Sequence, residues 1–315
     1  MRIQTLGIRI VQFVLIALIL TSLGWFTFVV LRPAWSGYLL TIAGRNADCS
    51  AGDAADGIQN HLDCNIATEK MSHQKLVRAA GGFELWSTPR GDWWLPAGSS
   101  VSENLAVLLA QQETDLYGTG KNGPQPGDIV LDCGAHVGVF VRKALARGAA
   151  KVVAIEPNPE NVECLRRNFI REIETGQVTV YAKGVWDKED FLVFHRPKDQ
   201  SAGGSFLLQS TVGDRPVSGI PVTTIDKLVA ELNLVRVDFI KTDIKGATTR
   251  ALRGARETIL KHKPRMAIST EEVGYDDPKE IFDVLHGIWP GYHAQCGSCM
   301  VTHFRVYPEV QYFRP

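Results

Sequence analysis

The pattern of apolar and polar positions divides the chain into unlike parts. From Ile10 to Leu31 no residue is charged, and only Gln12, Thr21, Ser22 and Thr27 add polarity to a run of mainly bulky apolar side chains. At about 1.5 Å per residue a helix over this run reaches roughly 33 Å, enough for a bilayer core of about 30 Å. The run is too long for the core of a signal peptide, and no small-x-small cleavage pattern follows it. Trp25 and Trp35 suit an interfacial belt. These features predict an N-terminal membrane anchor over residues 1–35. From residue 44 to 82 the chain is rich in Gly, Ala and Asp and has no aromatic residue before Phe83. Residues 36–82 therefore read as a neck or linker.

The third part, residues 83–315, carries regular signals. Phe83-Glu84-Leu85-Trp86 and Trp93-Trp94-Leu95 flank the turn cluster Pro89-Arg90-Gly91-Asp92, predicting a β-hairpin. Its tryptophans serve either the core or a platform for a sugar or lipid-linked acceptor. Ser100-x-x-Glu103 is a capping-box pattern that opens a helix running to about Tyr117. After a Gly/Pro-rich loop, strands and helices alternate. Strands are expected at Ile129–Cys133, Lys151–Ile155, Val178–Ala182, Leu192–His195, Val217–Thr223, Val237–Thr242 and Arg265–Ser269. Helices are expected at Val139–Arg147, Pro159–Ile173, Asp226–Leu232 and Ala247–Lys261. This alternation predicts an α/β fold built on a mainly parallel sheet.

Composition narrows the picture. Of 315 residues, 45% are apolar and 22% charged, which excludes a wholly disordered chain. Lys plus Arg and Asp plus Glu are 34 each, so no overall basic field favours a nucleic-acid partner. Six cysteines are too few for a disulfide-built scaffold.

Open α/β sheets bind ligands at the carboxyl ends of their strands. The first strand ends in Asp132-Cys133-Gly134-Ala135-His136-Val137-Gly138. Gly134 and Gly138 allow a sharp turn and close approach to a ligand. The third glycine of a dinucleotide fingerprint is missing, which disfavours a nicotinamide oxidoreductase. The second strand ends in Glu156-Pro157-Asn158-Pro159. An acid there accepts hydrogen bonds from ribose hydroxyls, and an acid after the first strand suits a cationic amino-acid group. Together they fit a nucleoside bearing an amino-acid tail, which is S-adenosylmethionine.

These motifs, with Thr224-Ile225-Asp226, Asp238-Phe239-Ile240-Lys241-Thr242-Asp243-Ile244-Lys245-Gly246-Ala247 and Leu252-Arg253-Gly254-Ala255, resemble the FkbM family of class I S-adenosylmethionine-dependent methyltransferases. The likeness covers roughly residues 125–290. It implies a seven-stranded Rossmann-like sheet with flanking helices and methyl transfer to an oxygen, often a sugar hydroxyl or a glycan- or lipid-linked acceptor. By this resemblance Asp132, Gly134, Ala135, His136 and Gly138 surround the methionine portion, and Glu156, Pro157 and Asn158 the ribose. Trp186 and Asp187 lie by the adenine, and Asp243 and Lys245 by the sulfonium and the acceptor. Three positions depart from the family pattern: His136 replaces Asn, Lys245 replaces Glu, and Thr248 replaces Glu. The resemblance thus leaves two readings, an active methyltransferase or an impaired descendant kept as a cofactor-binding or scaffolding module. His195, Glu271 and Glu272 are the alternative bases.

A last constellation is His293-x-x-Cys296-x-x-Cys299-x-x-x-His303, whose ligand types fit a zinc site, a disulfide or redox pair, or a hairpin of reduced cysteines turning at Gly297-Ser298. No metal is assigned. Cys49 and Cys64 are similarly open, and oligomeric state is not legible. Arg2 and Arg9 before the anchor favour a cytoplasmic N-terminus. The cytosolic supply of S-adenosylmethionine instead places the domain in the cytoplasm, and that placement is the expectation carried forward.

Overall fold

The computed structural model describes residues 2–31, 34–44, 49–98, 101–196, 204–206, 215–270, 277–302 and 305–315. Three helices, α1 (Arg2–Leu31), α2 (Ala34–Ile42) and α3 (Ala51–Met71), come first. A three-stranded antiparallel sheet follows, β1 (Lys75–Ala80), β2 (Phe83–Thr88) and β3 (Gly91–Pro96), and then α4 (Val101–Glu113). The expected hairpin is β2–β3, with Trp93 fully buried and Arg142 stacked on its ring.

The main domain continues through β4 (Ile129–Cys133), α5 (Val139–Ala146), β5 (Lys151–Ile155), α6 (Pro159–Asn168), α7 (Ile170–Glu174) and β6 (Val178–Tyr181). A small sheet is formed by β7 (Gly184–Val185), β8 (Asp190–Arg196) and β9 (Arg215–Thr223). Then come α8 (Ile225–Glu231), β10 (Phe239–Thr242), α9 (Thr248–Arg253), α10 (Arg256–His262), β11 (Arg265–Ser269) and α11 (Pro278–Ile288). The chain closes with β12 (His293–Cys296), β13 (Cys299–Thr302), β14 (Arg305–Pro308) and β15 (Val310–Arg314).

The central sheet has seven strands in the order β12-β15-β11-β10-β4-β5-β6. β11, β10, β4, β5 and β6 are mutually parallel, and β15 is antiparallel to both its neighbours. Both faces of the parallel part are covered, so its strands are mainly apolar rather than alternating, with Asp132 on β4 and Lys241 on β10 buried among them. Along β4, Val130 packs into one core layer and Leu131 and Cys133 into the other. Asn158 caps α6 by accepting from Glu160 N, with Pro159 at the first helical position.

Four expectations change. The expected helix Pro159–Ile173 breaks into α6 and α7 at Phe169, whose φ of −129° is not helical. Residues 51–71 of the expected neck form one helix, capped by Ser50 and packed against α2, α4 and β13. The expected helix Ala247–Lys261 breaks into α9 and α10 at Gly254, where a Cβ would lie 2.1 Å from the Trp186 carbonyl oxygen. The expected span from Ile10 to Leu31 lies within α1, but among the described residues no helix is long and apolar enough to cross a membrane. Ser100, Glu271, Glu272 and His303 lie outside the described residues.

Beyond the sheet, a disulfide joins Cys49, at the foot of α3, to Cys296 at the end of β12. Cys296 is thereby removed as a metal ligand, and no cluster that could hold a metal ion occurs among the described residues. Cys299 does not face Cys296 across a hairpin, because β12 pairs with β15 and β13 with β14. The buried Cys299 thiol is pushed up to about 12 by burial and donates to the Gly297 carbonyl.

Candidate active site

The chain leaves β4 toward β5 and β6 on one side, while β10 and β11 lie on the other. The order therefore reverses between β4 and β10, the place where an open α/β sheet leaves a crevice at its carboxyl edge. A cleft open to solvent lies there. Its walls are Gly134, Ala135 and His136 after β4, Glu156 and Pro157 after β5, and Asp243, Ile244 and Lys245 after β10.

Gly134 has φ 82°, and a Cβ there would meet the Asp243 carbonyl oxygen at 2.1 Å, so the two strand ends touch backbone to backbone. Gly138, with φ 96°, starts α5, where a Cβ would strike the Phe169 ring. The loop between them spends its N–H groups internally. Gly134 and Ala135 both donate to Ile155 O, Gly138 donates to Ala135 O, and His136 donates to the Glu156 carboxylate at 2.8 Å. A loop built this way is not a pyrophosphate cradle, which needs those groups aimed outward.

Glu156 is 4% exposed. It accepts from His136 N, Asn158 N and Asn161 Nδ2, so three of its roughly four acceptor positions are taken within the chain. Burial pushes its carboxyl up to about 7, against the pull of those donors. Beside it, Asn158 Nδ2 is a buried donor with no partner among the described atoms.

Asp243 accepts a 3.0 Å hydrogen bond from the Tyr117 hydroxyl at Oδ2, and Lys245 Nζ lies 3.8 Å from Oδ1. Burial opposes its ionisation, but Lys245, Lys241 and Tyr117 outweigh that and hold it below the usual carboxylate range. Lys245 adopts φ 41°, a left-handed conformation that strains a side chain with a Cβ, and Ser205 Oγ donates to its carbonyl at 2.8 Å.

The match to the FkbM methyltransferase domain model runs over residues 132–297, just over half of the chain. The chain belongs to this family. Among solved structures it is similar to methyltransferase FkbM from Methylobacillus flagellatus KT, with 18% identity and a TM-score of 0.43 over 82% of this chain and 60% of that one. It is similar to Trm5b from Pyrococcus abyssi, with 14% identity and a TM-score of 0.42 over 76% of this chain and 57% of that one. M. jannaschii TYW2 in complex with AdoMet gives 12% identity and a TM-score of 0.37 over 76% and 86%. The chain thus spans 60% and 57% of the lengths of the first two. No curated protein matches it.

The FkbM domain brings Gly134, Ala135, His136, Glu156, Pro157, Asp243 and Lys245 to one cleft. Five predicted residues stand elsewhere. Asp132 is fully buried and paired with Lys241 Nζ at 3.0 Å, because the two are register partners on β4 and β10. Its carboxyl, raised to about 6 by burial, faces an internal lysine and is not offered to an amino-acid group. Trp186 packs on Phe206 and under the Arg250 guanidinium, and Asp187 bonds Arg250 at 2.8 Å. Neither lines the cleft, whose wall there is Gly184 and Val185. Asn158 supports Glu156 from behind, and Gly138 serves the packing of α5. His195 carries no base role in this arrangement, since its backbone pairs with Ser205 and its ring does not line the cleft.

The FkbM domain also uses residues that the motifs do not show. Gln111, Gln112 and Tyr117 come from α4 and the turn after it, and Phe194 and Phe206 from the small sheet and its loop. Lys241 forms part of the floor, 3% exposed, and donates to Gly134 O at 2.8 Å. Its sequence signal is a lysine inside an apolar strand, which demands a buried acid. The other five carry no local signal.

Proposed function

We propose that this FkbM-family methyltransferase binds S-adenosylmethionine in the cleft between β4 and β10 and methylates a hydroxyl oxygen of a sugar or of a glycan- or lipid-linked acceptor. The observation that carries the reading is the buried Glu156 carboxylate opening on the cleft beside the close contact of Gly134 with Asp243. The group fits this site: Glu156 keeps acceptor capacity for a ribose hydroxyl, and Gly134 leaves room that a Cβ would fill. When bound, S-adenosylmethionine supplies a methyl group on a positively charged sulfur. Glu156 would hold the ribose, and Val185, Phe194 and Phe206 give an apolar wall for a flat ring. The ionised Asp243 favours a cation beside it and receives the proton of the acceptor hydroxyl. Alignment of the acceptor oxygen accounts for most of the rate, since a well-oriented pair gains up to about 10 kcal/mol over a free encounter.

The test is calorimetric titration of the full chain with S-adenosylmethionine, repeated on Glu156→Gln. The wild type is expected to bind, and the variant to bind at least about tenfold more weakly, as befits loss of a charge-assisted hydrogen bond of about 1.5 kcal/mol or more. Transfer of labelled methyl to a panel of glycans then identifies the acceptor. A folded wild type that takes up no S-adenosylmethionine would sink the reading. Binding without transfer to any hydroxyl acceptor would support the impaired descendant instead.

A further inference from the structure

We propose that Tyr117, which precedes the family domain in sequence, is a positioning residue that fixes the Asp243 carboxylate for the acceptor. The proposal rests on the assignment of the cleft as a methyl-transfer site. Its foundation is geometric. Tyr117 is 5% exposed, and its hydroxyl reaches across 126 residues to donate to Asp243 Oδ2 at 3.0 Å. The two carboxylate oxygens are thereby made unequal. Oδ2 is tied to a buried phenol, while Oδ1 has Lys245 Nζ at 3.8 Å. A carboxylate held by one oxygen keeps the other aimed.

The chain invests heavily in the posture of this one ring. The turn around it contains Asp115 at φ 57° and Gly118 at φ 89°. Asp115 Oδ1 takes Arg147 at 2.5 Å and Lys143 at 2.7 Å, both from the C-terminal end of α5, and Arg147 also bonds the Gly118 carbonyl. Tyr312 Oη donates to the Leu116 carbonyl at 2.8 Å from β15. The ring meets Phe140 edge-on at 5.3 Å and lies 5.1 Å beneath the Lys241 ammonium. A phenylalanine would satisfy every one of these ring contacts. Only the hydroxyl needs the cleft, and Asp243 is its acceptor there.

The groups that face Asp243 come from every side: Lys241 on β10, Lys245 in the following loop, His136 after β4, Asp132 on β4, and Tyr117. Tyr117→Phe removes one hydrogen bond and leaves these charges in place. The experiment is an NMR titration of the full chain carrying ¹³C-labelled aspartate, with the Asp243 carboxyl assigned through Asp243→Asn. In Tyr117→Phe its midpoint is expected to rise by about one pH unit, the equivalent of one charge-assisted hydrogen bond. The acid limb of the methyl-transfer pH profile should move by the same amount, while S-adenosylmethionine affinity above that limb stays close to wild type and thermal stability falls only by what the shifted midpoint itself carries. An unmoved Asp243 midpoint overturns the proposal, and an unmoved midpoint with lowered stability assigns Tyr117 to the core alone. Failure of the wild type to bind S-adenosylmethionine would overturn the reading of the cleft, yet the carboxyl titration would still decide whether Tyr117 governs Asp243.

Discussion

Two acid–lysine pairs stand at the switch point of the sheet and play opposite parts. Asp132 and Lys241 are register partners on β4 and β10, both buried, 3.0 Å apart. Asp243 and Lys245 follow just past the end of β10, partly exposed, 3.8 Å apart. Chemically the pairs are alike. What separates them is the position of one strand end. The inner pair is closed by the Gly134 carbonyl, which takes a hydrogen bond from Lys241, and it ties two strands together. The outer pair sits on strained backbone, with Lys245 at φ 41°, and opens on the cleft. An acid in a motif therefore becomes a site residue only when it lies beyond the last ladder partner.

The largest effect that tests this contrast belongs to the inner pair. Lys241→Met leaves the Asp132 carboxylate buried without its cation, at an expected cost of about 3–5 kcal/mol by chemical denaturation. The deficit carries a sign. An acid whose folded midpoint lies above its unfolded one weakens the fold as pH rises through that interval. The native Asp132 midpoint is already raised to about 6, and losing Lys241 pushes it further up. The variant should therefore recover on acidification and be worst at alkaline pH. A full-strength loss at pH 4 would mean that packing, not charge, is what Lys241 supplies.

A smaller effect comes from Glu156, a third acid that is buried like Asp132 but opens on the cleft like Asp243. Its carboxyl titrates near 7, and only the ionised form is a full acceptor. S-adenosylmethionine affinity should tighten as pH rises through about 7, by up to about tenfold per unit below it, and then level off. Calorimetry across this range checks it. A flat profile would place the ribose on other groups.

The smallest effect is at the outer pair. Lys245→Gly removes the left-handed strain, worth about 1–2 kcal/mol for a residue with a Cβ, and gives up a partly exposed ion pair worth about 0–1 kcal/mol. The melting temperature should rise slightly, in contrast to the collapse expected at Lys241. A drop would show that the pair with Asp243 outweighs the strain.

Much of the main sheet is legible along the chain. The β4–α5–β5–α6–β6 run declares itself because short apolar strands end at Gly134 and at Pro157, and because Pro159 marks a helix start. The cleft follows from those strand ends, and Glu156 with it. What stays hidden depends on contacts between distant segments. At Gly254 the helix breaks; a glycine there is only a weak local signal, and what excludes a larger residue is the distant Trp186 carbonyl. Trp186 itself, adjacent to a plausible binding motif, turns to Arg250 and Phe206 because it lies one residue past the wall formed by Gly184 and Val185. Asp132 looks like a ligand-binding acid until Lys241 is placed beside it. Tyr117 lies in a turn whose sequence shows only Asp and Gly, and its importance is set by α5, β10 and β15.

The bridge between Cys49 and Cys296 has a topological consequence. It encloses α3, the hairpin, α4 and every strand of the central sheet but β15 in one covalent ring. Inside that ring the chain has no free end. A single protease cut anywhere between the two cysteines opens the circle without releasing a piece, so the nicked molecule keeps its full mass until a reductant is added, and only then falls into two.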